Sequence, residues 1–413
     1  MTWVDVAIAD LGRVVTGDTP PRKNPEYYGD AYPFIKPTDM SVGQRLTVDY
    51  EEGYSEEGYR KYRKKLISSG STAVVTIGSI GQKITWLHSD CFVNQAVNAV
   101  VPNQDRFDSL YVYYLLKHNL NLVKQADTGA SSGRENVSKS NFSSLKVHAC
   151  LDLRTQRQMA EVLDSLDSSI ELNQRRIALL EEATRHLYRA WFVRLSFPGH
   201  DAAPFSQGIP AGWSKSTIAE QTAFLNRGIA PNYDEAATGR VINQKCIRDG
   251  FLSLRPARKQ SKDVKAERLV QMGDVLINST GAGTLGRVAV VRGPIENCTV
   301  DTHVTIARPQ DQASFAFFGQ ALLALEPVFA EMGRGATNQL ELSRTDIGAV
   351  EVWRPPEDVV RDFHRLAWPM MEQSEQLRAV NERLAIARDL LLPELMSGKL
   401  DVSSIRLPEE ATT

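Results

Sequence analysis

The stretch "LDSLDSSIELNQRRIALLEEATRHLYRAW", residues 163–191, has apolar side chains that recur with a period of 3.5 residues. Residues 363–391, "FHRLAWPMMEQSEQLRAVNERLAIARDLL", repeat the pattern in the same phase. A heptad period held over this length is typical of a coiled coil, so both stretches are predicted to be long helices that pair with each other. A polar amide stands at corresponding seam positions and is expected to fix the register. The predicted seam consists of Leu163, Leu166, Ile170, Asn173, Ile177, Leu180 and Leu187 in the first helix and Phe363, Leu366, Met370, Gln373, Leu377, Val380, Leu384 and Leu391 in the second.

Each helical stretch closes one of two similar halves of the chain. "WVDVAIADLGRVVTG" from Trp3 is similar to "WSKSTIAEQTAFLNRG" from Trp213, and "CFVNQAVNAVVPN" from Cys91 is similar to "CTVDTHVTIARPQ" from Cys298. A third pair, "GASSGRENVSKSNFSSLKV" and "GATNQLELSRTDIGAVEV", follows in the same order and at nearly the same spacing. An ordered set of weak matches at one long period indicates an internal duplication.

Within each half the patterns are mixed. "STAVVTIGSIGQKITWL" from Ser71 predicts strand, turn and strand, whereas "SLYVYYLLKHNLNLV" from Ser109 has helical spacing. We therefore predict an α+β fold with two similar globular domains separated by two long helices, which pair as an antiparallel coiled coil in a pseudo-twofold internal repeat. The predicted segments are a first globular domain at 1–150, a spacer helix at 151–195, a Pro- and Gly-rich linker at 196–212, a second globular domain at 213–355, a second spacer helix at 356–400 and a flexible tail at 401–413.

"GAGTLG" at residues 281–286 matches the glycine pattern of dinucleotide-binding loops. Such a loop must open a helix, because the pyrophosphate rests on the helix N-terminus. Here the strand-like run "RVAVV" follows instead, and the first half keeps only Gly78 and Gly81 in the corresponding "TIGSIGQ". We therefore predict the turn of a β-hairpin at both places, and no cofactor in this chain.

The composition and the missing motifs argue against several classes of protein. Of the 413 residues, 42% are hydrophobic and 24% are charged, the net charge is −2, and no apolar run is long enough for a membrane span. The four cysteines and seven histidines are scattered, so neither a metal site nor a disulfide framework is expected. Neither a phosphate-binding P-loop nor a nucleophile elbow occurs, and "NPEY" at 24–27 departs from the N-P-P-Y of adenine methyltransferases. We expect a cytoplasmic protein without its own active site.

Two basic runs interrupt this neutral composition. "YRKYRKK" at 59–65 carries five cationic residues, and residues 240–268 hold nine against three acids. A charge run alone is typical of a solvated loop, but two runs in two similar halves favour phosphate contacts. The predicted phosphate-contacting residues are Arg60, Lys61, Arg63, Lys64, Lys65, Arg248, Arg255, Arg258 and Lys259.

The chain resembles the specificity subunit of type I restriction-modification enzymes. The resemblance rests on an ordered set of stretches that covers nearly the whole chain: "TGDTPPRKNPEYYGDAYPFIKPTDM", "VNQAVNAVVP", "LINSTGAGTLGRVAVV", "LRTQRQMAEVLDSLDSSIELNQRRIALLEE" and "LLLPELMSGKLDV". The second half departs from the family pattern in places, since "VDTHVTIARP" replaces "VNQAVNAVVP".

The resemblance implies that 1–150 and 213–355 are target-recognition domains, each of which reads one half of a split sequence in double-stranded DNA. It implies two methyltransferase subunits and further restriction (motor and nuclease) subunits as partners, with S-adenosylmethionine, ATP and magnesium on those partners. Polar side chains near turns would read bases, while basic side chains hold phosphates. Asn94 and Gln95 are expected to be buried hydrogen-bonding residues instead. The candidate base readers are Lys36, Gln82, Lys83, Arg134, Arg227, Lys245, Thr284, Arg287 and Asn338.

Two other classes stay open on the sequence alone. The chain could be a stand-alone DNA methyltransferase or nuclease whose site is not recognised, or a coiled-coil scaffold that binds only protein. Methyl transfer by the purified chain would indicate the enzyme, and failure to bind DNA selectively with methyltransferase subunits present would indicate the scaffold.

Overall fold

A computed structural model describes residues 2–127, 135–333 and 340–402. The chain folds into two compact units, Met1–Glu171 with Asn381–Thr413 (unit 1) and Leu172–Val380 (unit 2). Each unit therefore contains one globular half of the chain and part of each long helix. No helix among the described residues has the length and apolar character needed to cross a membrane.

Unit 1 is built on two small sheets and an outer strand pair. The strand order is β2-β8-β5-β6 in the larger sheet and β4-β3-β7 in the smaller one, and β1 pairs with β9. A core of aromatic and aliphatic side chains, with Tyr111 and Phe142 fully buried, lies beneath the larger sheet. The elements that begin in this part of the chain are β1 Trp3–Ala7, α1 Ile8–Leu11, β2 Gly12–Thr16, β3 Tyr28–Ile35, β4 Glu52–Tyr54, α2 Glu56–Tyr62, β5 Thr72–Val75, β6 Ile84–Trp86, β7 Phe92–Val93, β8 Val97–Pro102, α3 Ser109–His118, α4 Leu120–Gln125, α5 Lys139–Ser144, β9 Lys146–Cys150 and α6 Leu153–Tyr188.

Unit 2 repeats these two sheets and the outer strand pair, and it adds two short strand pairs, β10 with β11 and β15 with β16. Its sheets have the orders β13-β21-β18-β19 and β17-β14-β20, and β12 pairs with β22. In both units the smaller sheet contains one parallel pair, β3 with β7 and β14 with β20. The remaining elements are β10 Phe205–Ser206, β11 Ile209–Pro210, β12 Ser214–Thr217, α7 Ile218–Gln221, β13 Thr222–Arg227, β14 Arg240–Ile242, β15 Ile247–Arg248, β16 Phe251–Leu252, β17 Arg258–Lys259, β18 Val275–Asn278, β19 Val288–Val290, β20 Cys298–Val300, β21 Val304–Pro309, α8 Phe315–Ala324, α9 Glu326–Glu331, α10 Arg344–Ala349, β22 Glu351–Arg354 and α11 Glu357–Met396.

The repeated strand order confirms the predicted α+β fold and the internal duplication. Matching register pairs place Val75 opposite Val97 in unit 1 and Asn278 opposite Val304 in unit 2. The duplication is thus visible in backbone pairing even where side chains differ.

The two long helices run antiparallel to each other within each unit. In unit 1, Arg388 of α11 binds Asp167 of α6 at 2.6 Å, and Asn381 donates a hydrogen bond to the Ile170 carbonyl. In unit 2, Ser374 of α11 donates to Glu181 of α6 at 2.7 Å. The predicted coiled-coil pairing of the two helices is confirmed within each unit.

The seam of α6 follows the predicted phase. Leu163, Ile170 and Asn173 are buried, and the other predicted seam residues of this helix, Leu166, Ile177, Leu180 and Leu187, are half-buried. A 3.5-residue period read from apolar residues is sufficient here, because nearly every seam position of α6 is apolar.

The predicted seam of α11 is wrong by one residue. Gln373 is exposed, and Leu366 and Val380 are 49% and 42% exposed. Buried positions lie one residue later. Two of them, Ser374 and Arg388, are polar and can be buried because α6 supplies a partner for each. Phe363 is buried as predicted, while Met370, Leu377, Leu384 and Leu391 lie half-buried at the edge of the true seam. The buried residues of this register are Ala367, Met371, Ser374, Arg388, Leu392 and Leu395.

"GAGTLG" is the turn of a hairpin, as predicted. Strands β18 and β19 pair antiparallel from Val275 with Val290 to Ile277 with Val288. Gly286 has φ +80°, and a Cβ there would lie 2.4 Å from the backbone nitrogen of Ala330, so only glycine fits without a shift. The corresponding β5–β6 hairpin of unit 1 confirms the second predicted turn.

The predicted linker and the start of the predicted flexible tail both contain ordered residues. The predicted linker, 196–212, contains a small hairpin of β10 and β11. At the C-terminus, Val402 is buried in the core of unit 1, and the rest of the predicted flexible tail lies outside the described residues.

Candidate nucleic-acid interface

The first basic run of the sequence forms helix α2 and the turn that follows it. Ser55 begins the helix by accepting a hydrogen bond from the Gly58 amide at 3.0 Å. The helix packs on an aromatic cluster in which Tyr62 meets Tyr54 edge to face. This support directs the cationic side chains outward, and the exposed ones are Arg60, Lys61, Arg63 and Lys64.

These four cations have no hydrogen-bond or ion-pair partner among the described residues. Lys65 differs, because it is half-buried and donates to the Thr16 carbonyl at 3.1 Å. The basic run therefore presents four uncompensated charges on one short segment, which is the arrangement that attracts phosphate groups.

Two predicted base readers of unit 1 are engaged within the fold. Lys36 binds Glu51 at 2.8 Å and Glu52 at 3.4 Å, and hydrogen bonding to Glu51 raises the pKa of Lys36. Lys83 donates to the Pro37 carbonyl at 2.6 Å. Gln82 stays exposed, without a partner among the described residues. Gln82 is thus the predicted reader of unit 1 that is most available for a ligand, whereas Arg134 lies outside the described residues.

The predicted phosphate contacts of unit 2 divide in the same way. The Arg255 side chain is exposed and has no partner in the described part of the chain, and the Arg248 side chain has only Asp249 at 4.0 Å. Arg258 stacks over the Tyr233 ring at 3.5 Å, and Lys259 donates to the Glu235 carbonyl at 2.9 Å. The side chains of Arg248 and Arg255 keep their full hydrogen-bonding capacity, while those of Arg258 and Lys259 contact residues of their own loop.

Three of the predicted base readers of unit 2 are also held within the fold. Arg227 pairs with Glu341 and donates to the Leu342 carbonyl at 2.8 Å. Arg287 and Thr284 close the hairpin turn, since they donate to backbone carbonyls within the turn. The Lys245 side chain is exposed without a partner among the described residues, while its amide donates to Asn243 at 2.9 Å. Asn338 lies outside the described residues.

The loop that connects the smaller sheet to the larger one, β7 to β8 in unit 1 and β20 to β21 in unit 2, holds a residue that was not among the predicted readers. In unit 2 this loop lies between β20 and β21 and exposes His303, whose amide donates to Asp301 at 2.9 Å. Burial raises the pKa of Asp301. The sequence feature that could have identified His303 is the replacement of "VNQAV" in the first half by "VDTHV" in the second. This replacement changes the side-chain chemistry at one fixed place in the fold.

The corresponding loop of unit 1 corrects one expectation. Gln95 is exposed and hydrogen-bonds to Thr19, and Asn94 is only half-buried. The buried amide is Asn98, which donates to the Thr76 hydroxyl at 3.0 Å. Asn98 lies on β8, where both faces of the sheet are covered, whereas the loop is at the sheet edge.

Possible metal ligands do not cluster in the part of the chain that the structure describes. Among residues 2–127, 135–333 and 340–402, no three His, Cys, Asp or Glu side chains lie close enough to hold a metal ion. The four cysteines are buried and unpaired. The candidate surface consists instead of exposed cations and loop polar groups, chemistry that suits contact with a polyanion.

Comparison with known proteins finds similarity to one class of protein. Residues 1–182 match the family described as "Type I restriction modification DNA specificity domain". A specificity subunit named for the type I restriction enzyme MjaIX of Methanocaldococcus jannaschii is 23% identical over 98% of this chain and 94% of its own length. The HindI specificity subunit of Haemophilus influenzae is 30% identical over 35% of this chain and 31% of its own length.

A solved structure shares the fold. The S subunit of a type I restriction-modification system from M. genitalium has a TM-score of 0.67 at 16% identity, with 95% of this chain and 96% of that chain covered. Residues 1–182 thus match a DNA specificity domain of the type I restriction-modification class. Over nearly its whole length the chain is similar to specificity subunits of type I restriction enzymes.

Proposed function

We propose that this chain is a type I specificity subunit that reads a bipartite sequence in double-stranded DNA, with unit 1 on one half-site and unit 2 on the other. The observation that carries the proposal is the repetition of one strand plan with different exposed side chains at equivalent places. A duplicated scaffold with unlike surfaces is suited to reading two unlike half-sites, because base discrimination depends on side chains rather than on the backbone framework.

The subunit acts within a complex and does not itself catalyse cleavage or methylation. We infer two methyltransferase subunits as direct partners, joined by restriction subunits where the system cleaves DNA. S-adenosylmethionine, ATP and magnesium belong to those partners in this proposal, and adenine would be flipped into the methyltransferase site. The cytoplasmic location expected from the sequence stays a prediction.

The exposed cations of α2 supply the non-specific part of DNA affinity in this proposal. Each lysine or arginine that neutralises a phosphate releases a condensed counterion, so it contributes about 0.9 to the slope of log affinity against log salt concentration. The variant K61A/K64A removes two such charges from an exposed, unpartnered segment. The slope should therefore fall by up to roughly 1.8, with the recognised sequence unchanged.

A matched control lies in the same unit. Lys139 and Lys146 are also exposed and lack partners among the described residues, but they lie on α5 and β9 rather than on α2. K139A/K146A removes the same charge and should leave the slope nearly unchanged. Equal slopes for the two variants in the assembled methyltransferase complex would refute the role of α2.

A domain exchange tests the division of labour between the units. Residues 213–355 enclose the β12–β22 pair, so both ends of the exchanged segment lie just outside a paired strand. Exchange for the second domain of another family member should change one half of the methylated sequence and preserve the other. Methylation mapping that shows both halves altered, or neither, would contradict the two-reader proposal.

A further inference from the structure

We infer that His303 is a specificity-determining residue of unit 2, which donates a hydrogen bond from Nε2 to an acceptor on a base edge. The inference rests on the proposed DNA-reading function and deepens it. The relevant structure is the loop between β20 and β21, together with two polar side chains that fix the imidazole.

The imidazole is oriented by a short polar relay. Thr280 Oγ1 lies 2.7 Å from His303 Nδ1, and Gln244 Nε2 donates to the same hydroxyl at 2.8 Å. An amide nitrogen only donates, so Gln244 occupies one of the two acceptor positions of the hydroxyl. The inference assigns the hydroxyl proton to the bond with Nδ1. A neutral imidazole whose Nδ1 accepts carries its own proton on Nε2.

The relay is anchored on buried groups. The side chain of Asn278, which is fully buried on β18, donates to the backbone carbonyl of Gln244 at 3.2 Å. The His303 backbone is fixed on both sides, since its amide donates to Asp301 and its carbonyl accepts from the Ser279 amide at 2.8 Å. The side chain is nevertheless exposed, and Nε2 has no partner among the described residues. A donor held in a defined direction and left unpaired is suited to recognition, because little side-chain entropy is lost when it binds.

The other unit provides an internal comparison. In unit 1 the same loop has Ala96, whose amide donates to Asn94 at 3.0 Å and whose carbonyl accepts from Thr76 at 2.8 Å. Thr280 of unit 2 forms an isolated bridge to Glu341, and the residue in that place of unit 1 is Ile77, bridged to Asn136. The backbone framework is therefore shared, whereas the histidine and its hydroxyl partner occur in unit 2 alone. A difference confined to side chains on a common frame is what two distinct half-sites require.

The chemistry defines the class of ligand. A single N–H donor pairs with one acceptor, and the major groove offers N7 and O6 of guanine, N7 of adenine and O4 of thymine. These acceptors lie at different places on the edges of the four base pairs. A donor held in one direction therefore favours the base pairs that present an acceptor at that place, at one position of the half-site read by unit 2. Gln244 and Thr280 act as positioning residues, because they orient the imidazole without reaching a ligand themselves in this proposal.

The test compares wild type, H303A, T280I and T280S in complex with methyltransferase subunits. The substitutions H303A and T280I introduce the residues of unit 1, and T280S keeps the hydroxyl. H303A and T280I should each relax base preference on the order of tenfold at one position of a single half-site, with the other half-site and the salt slope unchanged. T280S should retain wild-type preference.

The outcomes separate the inference from the function on which it rests. If wild type methylates no defined bipartite sequence, the proposed function fails. If wild type does so and H303A keeps every base preference, only the role of His303 is overturned. A uniform loss of affinity across all sequences, together with a lower unfolding temperature, would assign His303 a structural role and would also overturn the inference.

Discussion

The buried carboxylate of Asp167 gives the most direct test of how unit 1 is held together. Asp167 accepts a hydrogen bond from the Tyr114 hydroxyl at 3.0 Å and binds Arg388 at 2.6 Å, and Lys117 lies at 3.6 Å. The Asp167 and Arg388 side chains are only 4% and 8% exposed. Burial lowers the pKa of Lys117, which is consistent with a site that tolerates little uncompensated charge.

The substitution D167N removes the negative charge with almost no change of shape. Breaking a buried ion pair from one side typically costs about 3–5 kcal/mol, because the remaining charge stays buried without its partner. Arg388 keeps Asp389 at 2.8 Å, so we expect the lower end of this range, about 3 kcal/mol. For a unit of this size each kcal/mol shifts the unfolding temperature by about 2–4 °C, which gives a loss of roughly 6–12 °C.

The assay is thermal unfolding of the full chain combined with hydrogen exchange, which localises the change. Peptides of unit 1 should lose protection at lower temperature in D167N, while peptides of unit 2 should keep theirs. D389N is the matched control, since Asp389 is 62% exposed and an exposed pair contributes at most about 1 kcal/mol. The reasoning is refuted if D167N is no less stable than D389N.

Three further predictions concern single sites, and denaturant unfolding checks each of them. M371A should lower the free energy of unfolding by about 2–5 kcal/mol, because the Met371 side chain is fully buried. M370A should lower it by less than half as much. The reverse order would support the predicted register of α11. G283A should destabilise unit 2 by roughly 1 kcal/mol, because Gly283 has a positive φ. G286A should destabilise it by more, because Gly286 also has a positive φ and in addition lies against a helix backbone. Equal effects would contradict this close approach. The hydrogen bond from Arg22 and the charge of Lys36 hold the pKa of Glu52 below the ordinary 4.5. Glu52 therefore contributes fully to the free energy of unfolding above pH 4.5, and this contribution is lost as the pH falls through the folded pKa. Wild type should therefore be more stable than E52Q at pH 7, and the difference should shrink as the pH is lowered progressively below 4.5; a difference that does not shrink in acid would be inconsistent with this account.

The sequence determined the features that depend on local pattern. The apolar period of residues 163–191 is sufficient for α6 and its seam, because almost every seam position there is apolar. The glycines at 281–286 between two β-branched runs are sufficient for a hairpin, since a dinucleotide loop would need a helix to follow. The ordered repeats placed two copies of one domain in the chain, and the family resemblance rested on the same stretches.

Only the tertiary structure decided which polar residues are buried and which side chains stay available. Ser374 and Arg388 lie in the α11 seam because α6 supplies Glu181 and Asp167, and no count of apolar residues contains that information. Lys36 and Arg227 have the composition of DNA-contacting residues, yet carboxylates distant in sequence neutralise them. His303 stands in a scatter of unremarkable histidines until the fold brings Thr280 and Gln244 to its ring. The physical reason is the same in each case: the state of a charged or polar group is set by partners that folding alone brings within hydrogen-bonding distance.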